Sequence, residues 1–219
     1  MRILKCAKLD FMKSRSMVAF FIFFAVLCGF VAIVVNMPAS WAVLYMVFGG
    51  LTVVTTPFTV MANMTPAFTE ILPARVEEKV FGRFLFGSGV MAASALVGCA
   101  VQALVFAMNG ENDWTGIFPM IAVLFGASLF FMAVEYVIFY MFGISNAQIV
   151  QLVRIVPPFL LFFGGSYLLS ALTEDGIMET LLLWMADHQA LLAFGAVGAG
   201  LLIAGICAAF CCAHEKKKE

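Results

Sequence analysis

Between Ser16 and Thr69 the chain carries no charged residue. Apolar positions run almost unbroken there, interrupted by the polar stretch Asn36-Met37-Pro38-Ala39-Ser40. A membrane-crossing helix needs about 20 largely apolar residues, so this region predicts two spans, over residues 17–35 and 41–63. The same reading gives further spans over 84–108, 115–142, 155–172 and 190–212, with one acid, Glu135, inside the fourth. The predicted fold class is therefore an all-α integral membrane protein with six transmembrane helices. It forms a single domain over residues 1–219, and no linker is long enough to hold a soluble domain.

Composition agrees. The chain is 64% apolar and 11% charged, with a mean hydropathy of +1.07; a soluble domain is about 45–50% apolar and about 25% charged. Six spans also place all 12 lysines and arginines on one side. They fall before the first span (Arg2, Lys5, Lys8, Lys13, Arg15), in the loop after the second (Arg75, Lys79, Arg83), after the fourth (Arg154) and at the end (Lys216, Lys217, Lys218). The opposite loops hold only acids: Glu111, Asp113, Glu174, Asp175, Glu179 and Asp187. Positive charge marks the cytoplasmic side, which predicts both termini inside. The basic leader with its apolar run is read as a retained first span rather than a signal peptide. None of the six cysteines falls in an outer loop, so no disulfide is expected. Cys211 and Cys212, at a membrane boundary, read as small apolar filler.

Shorter features refine this plan. Residues 1–15 predict an interfacial helix, with Ile3, Leu4, Ala7 and Phe11 on one face and Arg2, Lys5, Asp10 and Lys13 on the other. Pro57 should kink the second span, with Thr55, Thr56 and Thr59 close enough to satisfy the freed backbone groups. Gly87, Gly89 and Gly98 give the third span small faces for close helix approach. Pro157-Pro158 suits a helix start, and residues 175–185, with Trp184, suggest a short helix at the outer interface.

The densest charge lies in the loop after the second span. Glu70, Arg75, Glu77, Glu78, Lys79 and Arg83 stand within fourteen residues. Pro73 suits a first helical turn, and Glu77 and Glu78 suit the positive end of a helix. Leu72, Val76 and Val80 recur every four residues, and Arg75 can reach Glu78 at a spacing of three. Residues 70–82 thus predict a short amphipathic surface helix that turns sharply into the third span, with its polar face offered to the cytosol. Nothing in the chain supplies its own catalysis. The histidines, His188 and His214, lie at or beyond span ends, and no serine–histidine pair, metal cluster or P-loop pattern occurs. Glu135 is different, because an acid in a span should face the bundle interior or a wet cavity. Phe131, Met132, Phe139 and Phe142 share its face, and Arg83 and Arg154 are its expected partners.

The segment "LPARVEEKVFGRFLFG" resembles the leucine-proline-x-x-arginine segment of small bacterial ABC exporter permeases. The chain is similar to permease subunits that export phenol-soluble modulins and similar antimicrobial peptides, which implies a bacterial cytoplasmic membrane location. The basic amphipathic start, the six spans and "YMFGISNAQIV" after the fourth span agree. Where that family has a longer acidic stretch before leucine-proline, Glu70 stands alone, and Ala74 replaces a serine. The resemblance implies a type V exporter fold with a second permease copy, identical or related. It also implies a separate cytoplasmic ATPase that carries ATP and Mg, with no cofactor, metal or nucleic acid held by this chain. Glu70, Leu72, Pro73, Arg75, Val76, Glu77, Glu78 and Lys79 would form the coupling helix, and Glu135, Phe131 and Phe139 would line the substrate path. The implied function is ATP-driven export of amphipathic or antimicrobial peptides. Two other readings stay open: a proton-coupled secondary transporter using Glu135, and a non-transporting membrane scaffold.

Overall fold

The computed structural model describes residues 2–34, 49–58, 74–109, 117–142 and 187–217. Among them all regular structure is helical. The elements are α1 (Arg2–Lys13), α2 (Arg15–Val34), α3 (Val76–Asn109), α4 (Ile117–Phe142) and α5 (Gln189–Lys216), plus a helical segment at 49–58. Three helices, α3, α4 and α5, are long and apolar enough to cross a membrane. The predicted span at 155–172, the interfacial helix at 175–185, and Glu70, Leu72, Pro73 and Arg154 lie outside the described residues.

The helices are tied by register. Arg83 of α3 reaches Tyr140 of α4, and Gly87 faces Met132 and Tyr136, so α3 and α4 run antiparallel. Lys216, at the end of α5, pairs with Glu77 at the start of α3. α5 therefore runs antiparallel to α3 and alongside α4 in the same direction. This gathers the basic start of α3, the basic end of α5 and the basic helix α1 at one end of the bundle.

α4 and α5 approach backbone to backbone. A side chain at Gly126 would collide with the Ala196 carbonyl, and one at Gly200 would lie 2.7 Å from the Gly126 carbonyl oxygen. The line continues down α5 through buried Ala204, Ala208, Cys211 and Cys212. Large residues of α5, Leu201, Leu202, Ile206 and Phe210, point outward. Small inside and large outside is the pattern expected where packing, not exclusion of water, drives helix association. Nearer the basic end the core becomes aromatic. Phe58 stacks on Phe139 with centroids 4.6 Å apart and meets Tyr136 edge-on at 5.0 Å. Tyr136 also donates a 3.1 Å hydrogen bond to the Val54 carbonyl, fixing segment 49–58 to α4. Pro57 sits in that segment. Thr55 and Thr56 bond to the carbonyls of Leu51 and Thr52, and Thr59 lies outside the described residues.

Two expectations are corrected. The surface helix that was to turn sharply into a span at residue 84 does not turn: α3 is unbroken from Val76 to Asn109, 34 residues. Its first two turns are the charged segment itself. The run "VEEKVFGRFLF" holds no proline, and its one glycine, Gly82, is where α1 crosses. A side chain there would stand 2.6 Å from Cys6 Cβ and 3.0 Å from the Ile3 carbonyl oxygen, so this glycine serves close approach and not a bend. The second correction concerns α1. Its covered side is Cys6, Ala7, Asp10 and Ser14, while Leu4, Lys8, Phe11 and Met12 are exposed. Asp10, assigned to the polar outer face, is 5% exposed, because a charged protein helix covers that side.

Candidate functional site

The basic end of the bundle concentrates the polar chemistry. Arg75 precedes α3 and acts as its N-cap residue. Its backbone N–H donates to Glu78 Oε2 at 3.0 Å, and the Lys79 N–H donates to its carbonyl at 3.1 Å. A glutamate at the third helical position that reaches back to the cap is half of a capping box. Glu78 therefore meets the Arg75 backbone, where a charge pair between side chains was expected. Glu77 forms an ion pair with Lys216 across to α5. Val80 is buried in the core, Val76 packs against its edge, and Lys79 is half-buried. Among the described residues of this set, Arg75 is the exposed one.

One turn further, Arg83 is 8% exposed. Its Nε donates to Asp10 Oδ2 at 3.4 Å and its Nη1 to the Tyr140 hydroxyl at 3.3 Å. The guanidinium carbon lies 4.4 Å from the Phe58 ring centroid, a cation–π distance. Phe84 meets Tyr136 edge-on at 5.0 Å. One cation thus joins α1, segment 49–58, α3 and α4. Around it on α1, burial pushes the Lys13 ammonium below its usual range; Asp10 opposes this and Arg83 adds to it. Burial raises the Cys6 thiol, helped by the negative charges of Asp10 and Glu78.

Glu135 is 2% exposed, in α4 beside Tyr136. Of its two expected partners, Arg83 is held by Asp10 and Tyr140, and Arg154 lies outside the described residues. Phe139 is locked in the core by stacking on Phe58, and Phe131 is half-buried beside Phe130. Phe142, assigned to the same face, is exposed. Among the described residues, Phe139 lies in the core, Phe131 packs against it, and Glu135 is buried on the same helix. The node at Arg83 and the fully buried Gln102 of α3 were not singled out from sequence. A lone glutamine inside a charge-free span was the available signal for the second.

Among the described residues, no group of three His, Cys, Asp or Glu side chains could hold a metal ion. The charged end is built of caps, ion pairs and stacked rings. The family profile described as ABC-2 family transporter protein matches residues 7–213. The chain belongs to the ABC-2 transporter family. This ABC-2 chain is a membrane-embedded permease, and membership implies association with an ABC ATPase subunit. No curated protein and no solved structure matches the ABC-2 chain.

Proposed function

We propose that this ABC-2 permease is the membrane half of an ATP-driven exporter of amphipathic peptides, with six spans, a type V arrangement and both termini in the cytoplasm. ATP and Mg act on a separate subunit. The basic end of the bundle faces that subunit, since positive charge favours the cytoplasmic side. A second copy of the chain, or a related one, completes the pathway.

The observation that carries this reading is the unbroken α3 with its charged start. Arg75, exposed at the N-cap, leads directly into a rod that continues through the apolar bundle. Movement imposed at the charged end passes into the span without an intervening joint. Glu77 and Glu78 have roles inside the chain, so Arg75 and Lys79 are the first candidates for contact with the ATPase. Peptide cargo is supported by the likeness of the "LPARVEEKVFGRFLFG" segment to peptide-exporter permeases. The test is co-purification of the permease with its ATPase, followed by peptide-stimulated ATP hydrolysis in proteoliposomes. Reversal of Arg75 to Glu should weaken association while the permease remains folded. Unchanged association and unchanged coupling would make this end a solvated surface only.

A further inference from the structure

Gln102 lies in α3 and is 0% exposed, and neither atom of its amide head has a hydrogen-bond partner among the described residues. Four buried serine and threonine hydroxyls of the same bundle are satisfied locally. Thr55, Thr56, Ser94 and Ser128 each return a hydroxyl to a carbonyl three or four residues back. A primary amide carries two donor hydrogens and two acceptor lone pairs, more than such a back-bond can serve. Its buried neighbours on α3, Val101, Val105 and Phe106, are apolar.

Its position gives the amide a direction. Phe84, Met91 and Gln102 share one face of α3, by their spacing at 3.6 residues per turn, and the first two belong to the core shared with α4. The antiparallel register set by Gly87 and Tyr136 brings Gln102 level with Ile121 of α4, itself buried. Along the axis Gln102 is about 28 Å from Arg83, toward the end of the bundle opposite the basic cluster. Face and register thus place an uncharged donor–acceptor group on the side of α3 that turns to α4, away from the basic end, with no hydrogen-bond partner among the described residues.

We propose that Gln102 is a cargo-binding residue of the far half of the translocation path, where its amide hydrogen-bonds main-chain amides of a passing peptide once α3 and α4 part. The assignment rests on the peptide-export reading above. The chemistry fits a peptide main chain, which offers N–H and C=O groups together at every residue. Such a contact reads no particular side chain and so admits cargo of varied sequence. Polar side chains inside membrane bundles face the interior or a wet cavity, where substrate paths run.

The full permease with its ATPase is reconstituted in proteoliposomes and titrated with a synthetic amphipathic Lys/Leu peptide. Gln102→Met keeps the length and removes the hydrogen bonding. It should leave the melting temperature unchanged or higher. The peptide concentration for half-maximal stimulation should rise about tenfold, equivalent to about 1.4 kcal/mol. Gln102→Asn, which keeps the amide, should recover part of that loss. An unchanged peptide response with an unchanged or higher melting temperature overturns the proposal and leaves a tolerated buried amide. An unchanged response with a lower melting temperature also overturns it, in favour of an internal water that uses the amide. If the parent responds to no peptide, the export reading fails and takes this assignment with it. A responding parent beside an indifferent variant removes Gln102 alone.

Discussion

Asp10 and Arg83 are 73 residues apart in sequence and form a buried ion pair, Oδ2 to Nε 3.4 Å, that pins α1 to α3. Removing one partner of such a pair leaves a buried charge uncompensated, which typically costs about 3–5 kcal/mol. Asp10→Ala is expected to lower the melting temperature of the detergent-solubilised permease markedly. The double variant Asp10→Leu with Arg83→Met should recover much of the loss, since no charge is then left buried. A double variant as unstable as the single one would show that the cation–π contact with Phe58 matters more than the ion pair.

The α4–α5 crossing predicts opposite signs at neighbouring glycines. Gly126→Ala forces a methyl into the Ala196 carbonyl and should destabilise the bundle. At Gly198 and Gly205 of α5 an added methyl would meet nothing within 4 Å among the described residues. Alanine there should be neutral or stabilising by up to about 1 kcal/mol through helix propensity. Thermal melts of the three variants check the ordering.

At the start of α3, Glu78→Ala removes the carboxylate that caps the Arg75 N–H. The expected cost is about 1 kcal/mol, in the range of lost N-caps. It should appear as faster hydrogen exchange confined to the first turn after Arg75. Protection unchanged in that turn would mean that packing of Val76 and Val80 holds it without the cap.

Cys6 should be a sluggish thiol. Its pKa lies above the ordinary value because of burial and of Asp10 and Glu78, so less thiolate is present at any given neutral pH. Alkylation by N-ethylmaleimide, followed by mass spectrometry of the α1 peptide, should accelerate only at higher pH than for a free cysteine. A rate profile matching the free thiol would contradict the packing of α1 on α3.

Glu135→Gln keeps shape and hydrogen bonding but removes charge and proton exchange. In a peptide exporter it should weaken stimulation by cationic peptides, with a proton gradient alone driving no transport in parent or variant. Gradient-driven uptake in the parent that the variant loses would favour the secondary-transporter reading.

The apolar runs made the membrane class and the helices α3, α4 and α5 legible in the sequence. The faces of α1 were misjudged for a physical reason. Amphipathic reading assumes that the covered side meets something apolar, but here it meets a helix carrying Arg83, so Asp10 turns inward. A run of charges between apolar stretches suggests a separate surface helix and hides the continuity of α3, although "VEEKVFGRFLF" holds no proline to end a helix. Of the assigned site residues, Glu77 and Glu78 were located by pattern. Their partners, Lys216 and the Arg75 backbone, depend on tertiary register, which local spacing does not encode.

At 34 residues, α3 is about 50 Å long, well beyond the roughly 30 Å of a bilayer's hydrocarbon core. It is clamped near one end by α1 at Gly82. Such a beam behaves as a lever with a fixed sleeve. A swing of about 10° about Gly82 carries the far tip, about 40 Å away, through roughly 7 Å. That displacement is comparable to the spacing between neighbouring side chains, enough to exchange one packed face for another at the far tip while the covalent geometry of the rod is untouched.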